Sequence, residues 1–216
     1  MPPFSTAAIG LTLNTFGAGL EMAMPLAQQF NLRSIVNVVD YGYKFTSNGG
    51  DYNAEIHFHS AQMMVDWFPF YGGFHISPGI MAFNNKLAVQ VRVPAGQTYD
   101  FEDYELTSSQ NDPIHGGATA TYPRRIAPVL MTGFTDILPR NGSHFTAPFE
   151  IGVAYPGTAQ ITANLQGTTC KADGCSNIAD DLDAQRLLRQ KQEDLNEEVK
   201  KFQIYPIVSM GLAFRF

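Results

Sequence analysis

Segment after segment of this chain alternates at a period of two, with the polarity of a soluble sheet turned inside out. In the last stretch, Ile204, Pro206, Val208, Met210, Leu212, Phe214 and Phe216 form one register, and Tyr205, Ile207, Ser209, Gly211, Ala213 and Arg215 form the other. Phe149, Ile151, Val153 and Tyr155 alternate with Glu150, Gly152 and Ala154. Ile76, Pro78, Ile80 and Ala82 alternate with His75, Ser77, Gly79 and Met81, and Met63, Val65 and Trp67 with Gln62, Met64 and Asp66. Leu20, Met22 and Met24 oppose Glu21, and Leu32, Val36 and Val38 oppose Arg33. A period of two puts each set on one face of a strand.

One face is continuously apolar, and the other is small with an isolated charge. The outward face of a soluble sandwich carries many Lys, Glu and Thr. Here only 16% of residues are charged, against about 25% in ordinary globular chains. The small face therefore suits a confined interior, and the apolar face suits lipid. An Arg or Lys facing mid-bilayer lipid costs about 2–4 kcal/mol, so the few charges belong inside. Glu21, Asp66 and Glu150 set against Arg33 and Arg215, with His75 nearby, form the expected lumen network.

Turn signals divide the chain into segments of about ten residues, as an all-β fold requires. Counting back from the end gives short connections at 25–29, 69–73 and 135–144 on one side. On the other lie the turn TSNGGD, a long 85–123 loop and an insert at 169–203. An even strand number requires residues 7–24 to fold as a hairpin about Asn14–Gly17 rather than as one long strand, giving eight strands. At that number the interior is filled by side chains. The segment LAVQVRV (87–93) extends the barrel or hairpins above the membrane. The region 145–166 reads as one continuous strand segment.

The insert at 169–203 reads as an amphipathic helix. Ser176 or Asn177 is placed to cap it, with Asp180 and Asp181 in the first turn and Lys200 and Lys201 in the last. Ile178, Leu182, Leu188, Leu195 and Val199 form a thin apolar stripe. Its charge excludes a span through lipid. Cys170 and Cys175 suit a small loop disulfide, the alternative being two free thiols. A net charge of −6 leaves no basic footprint for nucleic acid. The first ten residues lack the pattern of a secretory signal.

The ending YPIVSMGLAFRF resembles the closing strand of Gram-negative outer-membrane β-barrel proteins. The stretches LTLNTFGAGLEMAMPL and DWFPFYGGFHISPGI, and the acidic helix leading into FQIYPIVSMGLAFRF, resemble one group of small members of that class. The likeness spans most of the chain except the 85–123 loop. It implies a closed up-and-down transmembrane barrel as a single domain over 1–216, an outer-membrane location and outer-membrane lipids as surroundings. It also implies recognition by the barrel-assembly machinery through Tyr205, Met210, Leu212, Phe214 and Phe216.

The leading functional reading is non-enzymatic and without a cofactor: a structural or binding barrel working through its outer loops. Tyr99, Asp100, Phe101, Glu102, Asp103 and Tyr104 are its candidate contact residues. A second reading is a lipid-modifying enzyme, since His75 and Ser77 share a face in the manner of outer-membrane lipid A deacylases. The lumen register counts against it. Glu55, His57 and His59 share a face and are weak metal candidates. A soluble lipocalin-like barrel would share the alternation but point Phe149, Ile151, Val153 and Tyr155 into a cavity. Trp67, Phe68 and Phe70, with Phe214 and Phe216, are expected to form an inner-side aromatic girdle.

Overall fold

The computed structural model describes residues 2–101, 104–139, 143–171 and 174–216. Strands run β1 (Ala8–Asn14), β2 (Gly17–Ala27), β3 (Phe30–Ser47), β4 (Gly50–Trp67), β5 (His75–Phe83) and β6 (Lys86–Arg92). Next come β7 (Thr98–Phe101), β8 (Tyr104–Thr107), β9 (His115–Thr121), β10 (Ile126–Gly133), β11 (Phe145–Thr146), β12 (Phe149–Ala154) and β13 (Gln160–Gln166). The chain finishes with β14 (Thr168–Lys171), β15 (Gly174–Asn177), helix α1 (Leu182–Val199) and β16 (Tyr205–Arg215).

Eight strands close an antiparallel barrel in the order β1, β2, β3, β4, β5, β10, β12 and β16, with β16 returning to β1. The 7–24 segment is a hairpin, turning at Thr15–Phe16. Gly17 has φ +112°, which favours glycine there, and the Phe16 ring folds inward to stack on Tyr205 at 4.5 Å. The expected single strand over 145–166 is instead three pieces. β11 and β12 are interrupted at Ala147–Pro148, where proline lacks an N–H. The Pro148 carbonyl still accepts from Gly211 N at 3.0 Å. β13 leaves the barrel altogether.

The register is inside-out throughout. Leu11, Leu20, Val36, Met63, Ile80, Leu130, Ile151, Met210 and Leu212 are exposed on the outer wall. Inside, large and small residues alternate so that the interior fills. A β-carbon at Gly79 would meet Met64 Cγ at 2.4 Å, and one at Gly152 would meet Met131 Sδ at 2.4 Å. Those glycines are the space the two methionines occupy. Phe16, Ile35, Met64, Met81, Phe83, Met131 and Ile207 form the apolar core toward the outer mouth.

β3 and β4 continue beyond the barrel, and their outer halves carry β6, β9 and β13 as a side sheet. Its far edge, β13, is closed by α1. Asn196 accepts from Ile161 N at 2.8 Å and donates to Ile161 O at 2.9 Å, while Gln192 accepts from Ala163 N at 2.9 Å. These amides take the place of a neighbouring strand on an otherwise open edge. The packed helix face therefore runs from buried Ala184 through Leu188 to Gln192 and Asn196, whereas Leu182 is exposed. A face that meets a strand edge needs hydrogen-bonding side chains, and the apolar stripe read from the sequence missed this.

The first part of the 169–203 insert is the β14–β15 hairpin, bridged by Cys170–Cys175. With 174–177 in a strand, neither Ser176 nor Asn177 caps the helix. Asp181 does, accepting from Asp183 N and Ala184 N. Lys200 is the C-cap rather than part of the last turn, and Lys201 lies beyond it. At the inner end the 135–144 connection tucks under the barrel, burying Ile137 and Leu138 against Ala8, Ala23 and Ala213. Phe68 is also buried, its ring 5.4 Å from His75, so it does not belong to the girdle. Trp67, Phe70, Tyr71, Phe134, Phe145 and Phe216 are among the exposed aromatics there.

The small-for-large packing is directly testable. Gly152→Ala brings a methyl group to 2.4 Å from the Leu130 carbonyl. It is expected to lower barrel stability by about 1–3 kcal/mol, read as a lower urea midpoint for unfolding from lipid vesicles.

Candidate functional site

A buried ion-pair network crosses the lumen. Arg33 on β3 and Glu150 on β12 stand four strands apart in either direction around the wall, so their 2.5 Å contact spans the barrel. The Arg33 guanidinium also donates to Asp66 at 3.0–3.1 Å and to Ser77 Oγ at 3.3 Å. Ser77 Oγ donates to Asp66 at 2.6 Å. His75 Nε2 lies 2.6 Å from Glu150 Oε1. Glu21 is 4.0 Å from Arg33, and its Oε1 has no hydrogen-bond partner.

The strand register delivers these groups to one level. Gly133 on β10 pairs with both His75 and Glu150. A β-carbon there would come 3.0 Å from the imidazole and 2.9 Å from Glu150 Cγ. Gly10 and Gly211 leave the equivalent space beside Glu21 Oε1. Gly10, Gly133 and Gly211 thus mark where an ionisable side chain lies against the wall, as Gly79 and Gly152 do for the methionines.

Glu21, Arg33, Asp66, His75 and Glu150 come together as the alternation implied. Arg215 does not. It sits at the inner end of β16, below the network, and donates to the Pro139 carbonyl at 2.7 Å. Parity assigns a face but not a depth. Asn31, next below Arg33 on the lumen face, instead donates to Asp136 of the tucked connection at 3.2 Å. Beyond the charges lies a neutral polar group: Thr12 with Ser209 at 2.8 Å, and Asn37 with Ser60 at 3.1 Å and Asn14 at 2.6 Å. These residues were missed because lone Ser, Thr and Asn carry no chemical signature in sequence.

Ser77 and His75 bond to Asp66 and Glu150 respectively, and both are buried in the lumen, away from lipid. That is a packing arrangement, not a serine activated by an adjacent base. Phe149, Ile151, Val153 and Tyr155 are exposed on the outer wall, opposite to a lipocalin's cavity-lining side chains. Near the outer rim, His57 and His59 bond Asp40 at 2.7 Å and 3.0 Å, with Glu55 3.5 Å from His57. The bond to Asp40 raises the His57 pKa above its ordinary value. Among the described residues no group of three or more His, Cys, Asp or Glu is arranged to hold a metal ion. Glu102 and Asp103 lie outside the described residues. Tyr99 is buried in the outer core, its hydroxyl 3.1 Å from that of Tyr52.

No protein-family model and no curated protein matches the chain by sequence. Among solved structures it is similar to Acinetobacter baumannii CarO, with TM-score 0.56 and 16% identity, covering 100% of this chain and 98% of the other. It is also similar to Acinetobacter baumannii CarO2, with TM-score 0.62 and 16% identity over 100% of both chains. The fold is that of the CarO barrels. Those are outer-membrane β-barrel proteins, and this chain shares their fold. Like the sequence reading, the CarO likeness describes a closed eight-strand barrel with a helix before the last strand.

The unequal roles of the carboxylates predict unequal costs. Removing one partner of a buried ion pair costs about 3–5 kcal/mol. Arg33→Met, which strands three carboxylates, and Glu150→Gln, which disrupts two bonds, are expected to fall in that range. Glu21→Gln is expected to cost under about 1 kcal/mol because one oxygen is already unpartnered. Urea unfolding of the variants in vesicles measures the order.

Proposed function

We propose that the barrel is a sealed anchor in the outer membrane, and that its outer sheet is the surface that meets other molecules. The observation carrying this reading is the Arg33–Glu150 contact across the lumen, with side chains of both residues only 2% exposed. Below it Asn31 and Asp136 fill the inner end, and beyond it the Phe16–Met81 core fills the outer end. Eight strands leave an interior that side chains alone can fill.

Outside the barrel, Tyr41, Tyr43 and Phe45 on the outer half of β3 are exposed. Tyr43 stacks on Phe45 at 6.0 Å and Phe45 on Tyr52 at 4.9 Å, an ordered aromatic row on a rigid strand. Such a row supports a binding role for the outer sheet, since large exposed apolar patches mark interaction surfaces.

In planar lipid bilayers the purified protein is expected to give no discrete conductance steps. Regular single-channel steps from the wild-type chain would overturn the sealed-anchor reading.

The exposed row ending at Met210, Leu212 and Phe216 also supports recognition of β16 by the barrel-assembly machinery. Tyr205 has the opposite parity and turns inward onto Phe16. Deleting Phe216 is expected to reduce the heat-modifiable, folded form in cells several-fold while leaving refolding yield in detergent unchanged. An equal loss in both would make Phe216 a stability residue rather than an assembly address.

A further inference from the structure

Between the outer end of β12 and the last turn of α1 lies a cavity of about 700 Å³. Among the described residues that line it there is no Asp or Glu. Its helix wall is Gln192, Asn196 and Lys200, spaced four apart on one face, and the two amides are already committed to the β13 edge. Arg124 and Lys200 supply two positive charges, and neither has an ion-pair partner among the described residues. Arg124 passes close to the 156–159 turn, where a β-carbon at Gly157 would lie 3.9 Å from its Cδ. Gly157 has φ +81°, so this turn favours glycine where Arg124 crosses it.

The position of the cavity matters as much as its charge. Tyr155 forms its lower lip and is the last member of the outward row Phe149, Ile151, Val153, Tyr155. Arg124 shares parity with Ile126 and Leu130, which are exposed on the same outer wall. The cavity therefore opens where the apolar belt ends, at the level where acyl chains give way to headgroups. Tyr155 donates to Gln203 at 2.9 Å, the arrangement of an interfacial aromatic with one wet end.

We propose that this cavity binds the phosphorylated headgroup of an outer-leaflet lipid. The Arg124 guanidinium can meet two phosphate oxygens at once, and Lys200 adds a point charge from the facing wall. Thr158, Gln160 and Thr162 line the same space and offer hydroxyl and amide partners to sugar hydroxyls. The lipid is favoured over a free anion because the lip is continuous with the lipid-facing wall. This inference is independent of whether the lumen conducts.

The test uses the full-length protein in neutral detergent, titrated with bisphosphorylated lipid A and read by native mass spectrometry. The probes for comparison are the same lipid stripped of its phosphates, and inorganic phosphate alone. Arg124→Gln and Lys200→Gln are each expected to weaken lipid A binding about tenfold, as loss of one charge-assisted contact implies. Lys86→Gln, on the side sheet away from the cavity, serves as the charge-matched control and is expected to change nothing. Heat-modifiable migration checks that each variant is folded, and Arg124→Lys provides a conservative second variant, with partial retention expected. Equal binding by wild type and both glutamine variants would overturn the proposal, as would equal binding of the stripped lipid. If inorganic phosphate binds as tightly as lipid A, the site is one for free phosphate and the lipid assignment fails.

Discussion

The rest of the structure depends on the closure of the β-sheet. Inside a bilayer no water is present to satisfy a backbone N–H or C=O, so a sheet that enters lipid must leave no open edge. The pairing of β16 with β1 removes the last one. Closure at eight strands then sets the width of the interior. At that width a guanidinium on β3 reaches a carboxylate on the opposite wall, and two methionines need two glycines to fit. The lumen network, its polar flank and its apolar outer cap follow from one geometrical condition.

The same physics explains why the two halves of the long β3–β4 hairpin look different. Within the barrel both edges are paired and the outer face is apolar. Beyond it the sheet grows sideways through β6, β9 and β13, and an edge reappears. It is managed as soluble proteins manage edges, here by helix amides aimed at strand N–H and C=O groups. A polar helix that could not cross lipid is well suited to that task at the water side of the rim.

Much of this was legible in sequence, because alternation reports the face of every strand independently of its partners. Glu21, Arg33, Asp66, His75 and Glu150 were assignable to the lumen on parity alone. What parity cannot supply is depth along the axis. Arg215 has the lumen parity but sits below the network, where the nearest acceptor is the Pro139 carbonyl. Phe68 likewise sits just past the end of β4 and turns inward. The helix boundary was misplaced because the β14–β15 hairpin consumes the residues that looked like its cap. β9, reading HGGATAT, has almost no apolar signal; it pairs because the strands on both sides offer it partners.

The central claim is that greasy side chains face lipid and ionised ones face the axis. Nitroxide labels on cysteines introduced at Leu212, Ile151 and Met63, with the native cysteine pair replaced, measure this directly in reconstituted vesicles. The account predicts strong collision with dissolved oxygen and weak collision with a water-soluble nickel chelate at all three positions. Dominant nickel collisions at those sites would place the apolar face in water and contradict the account.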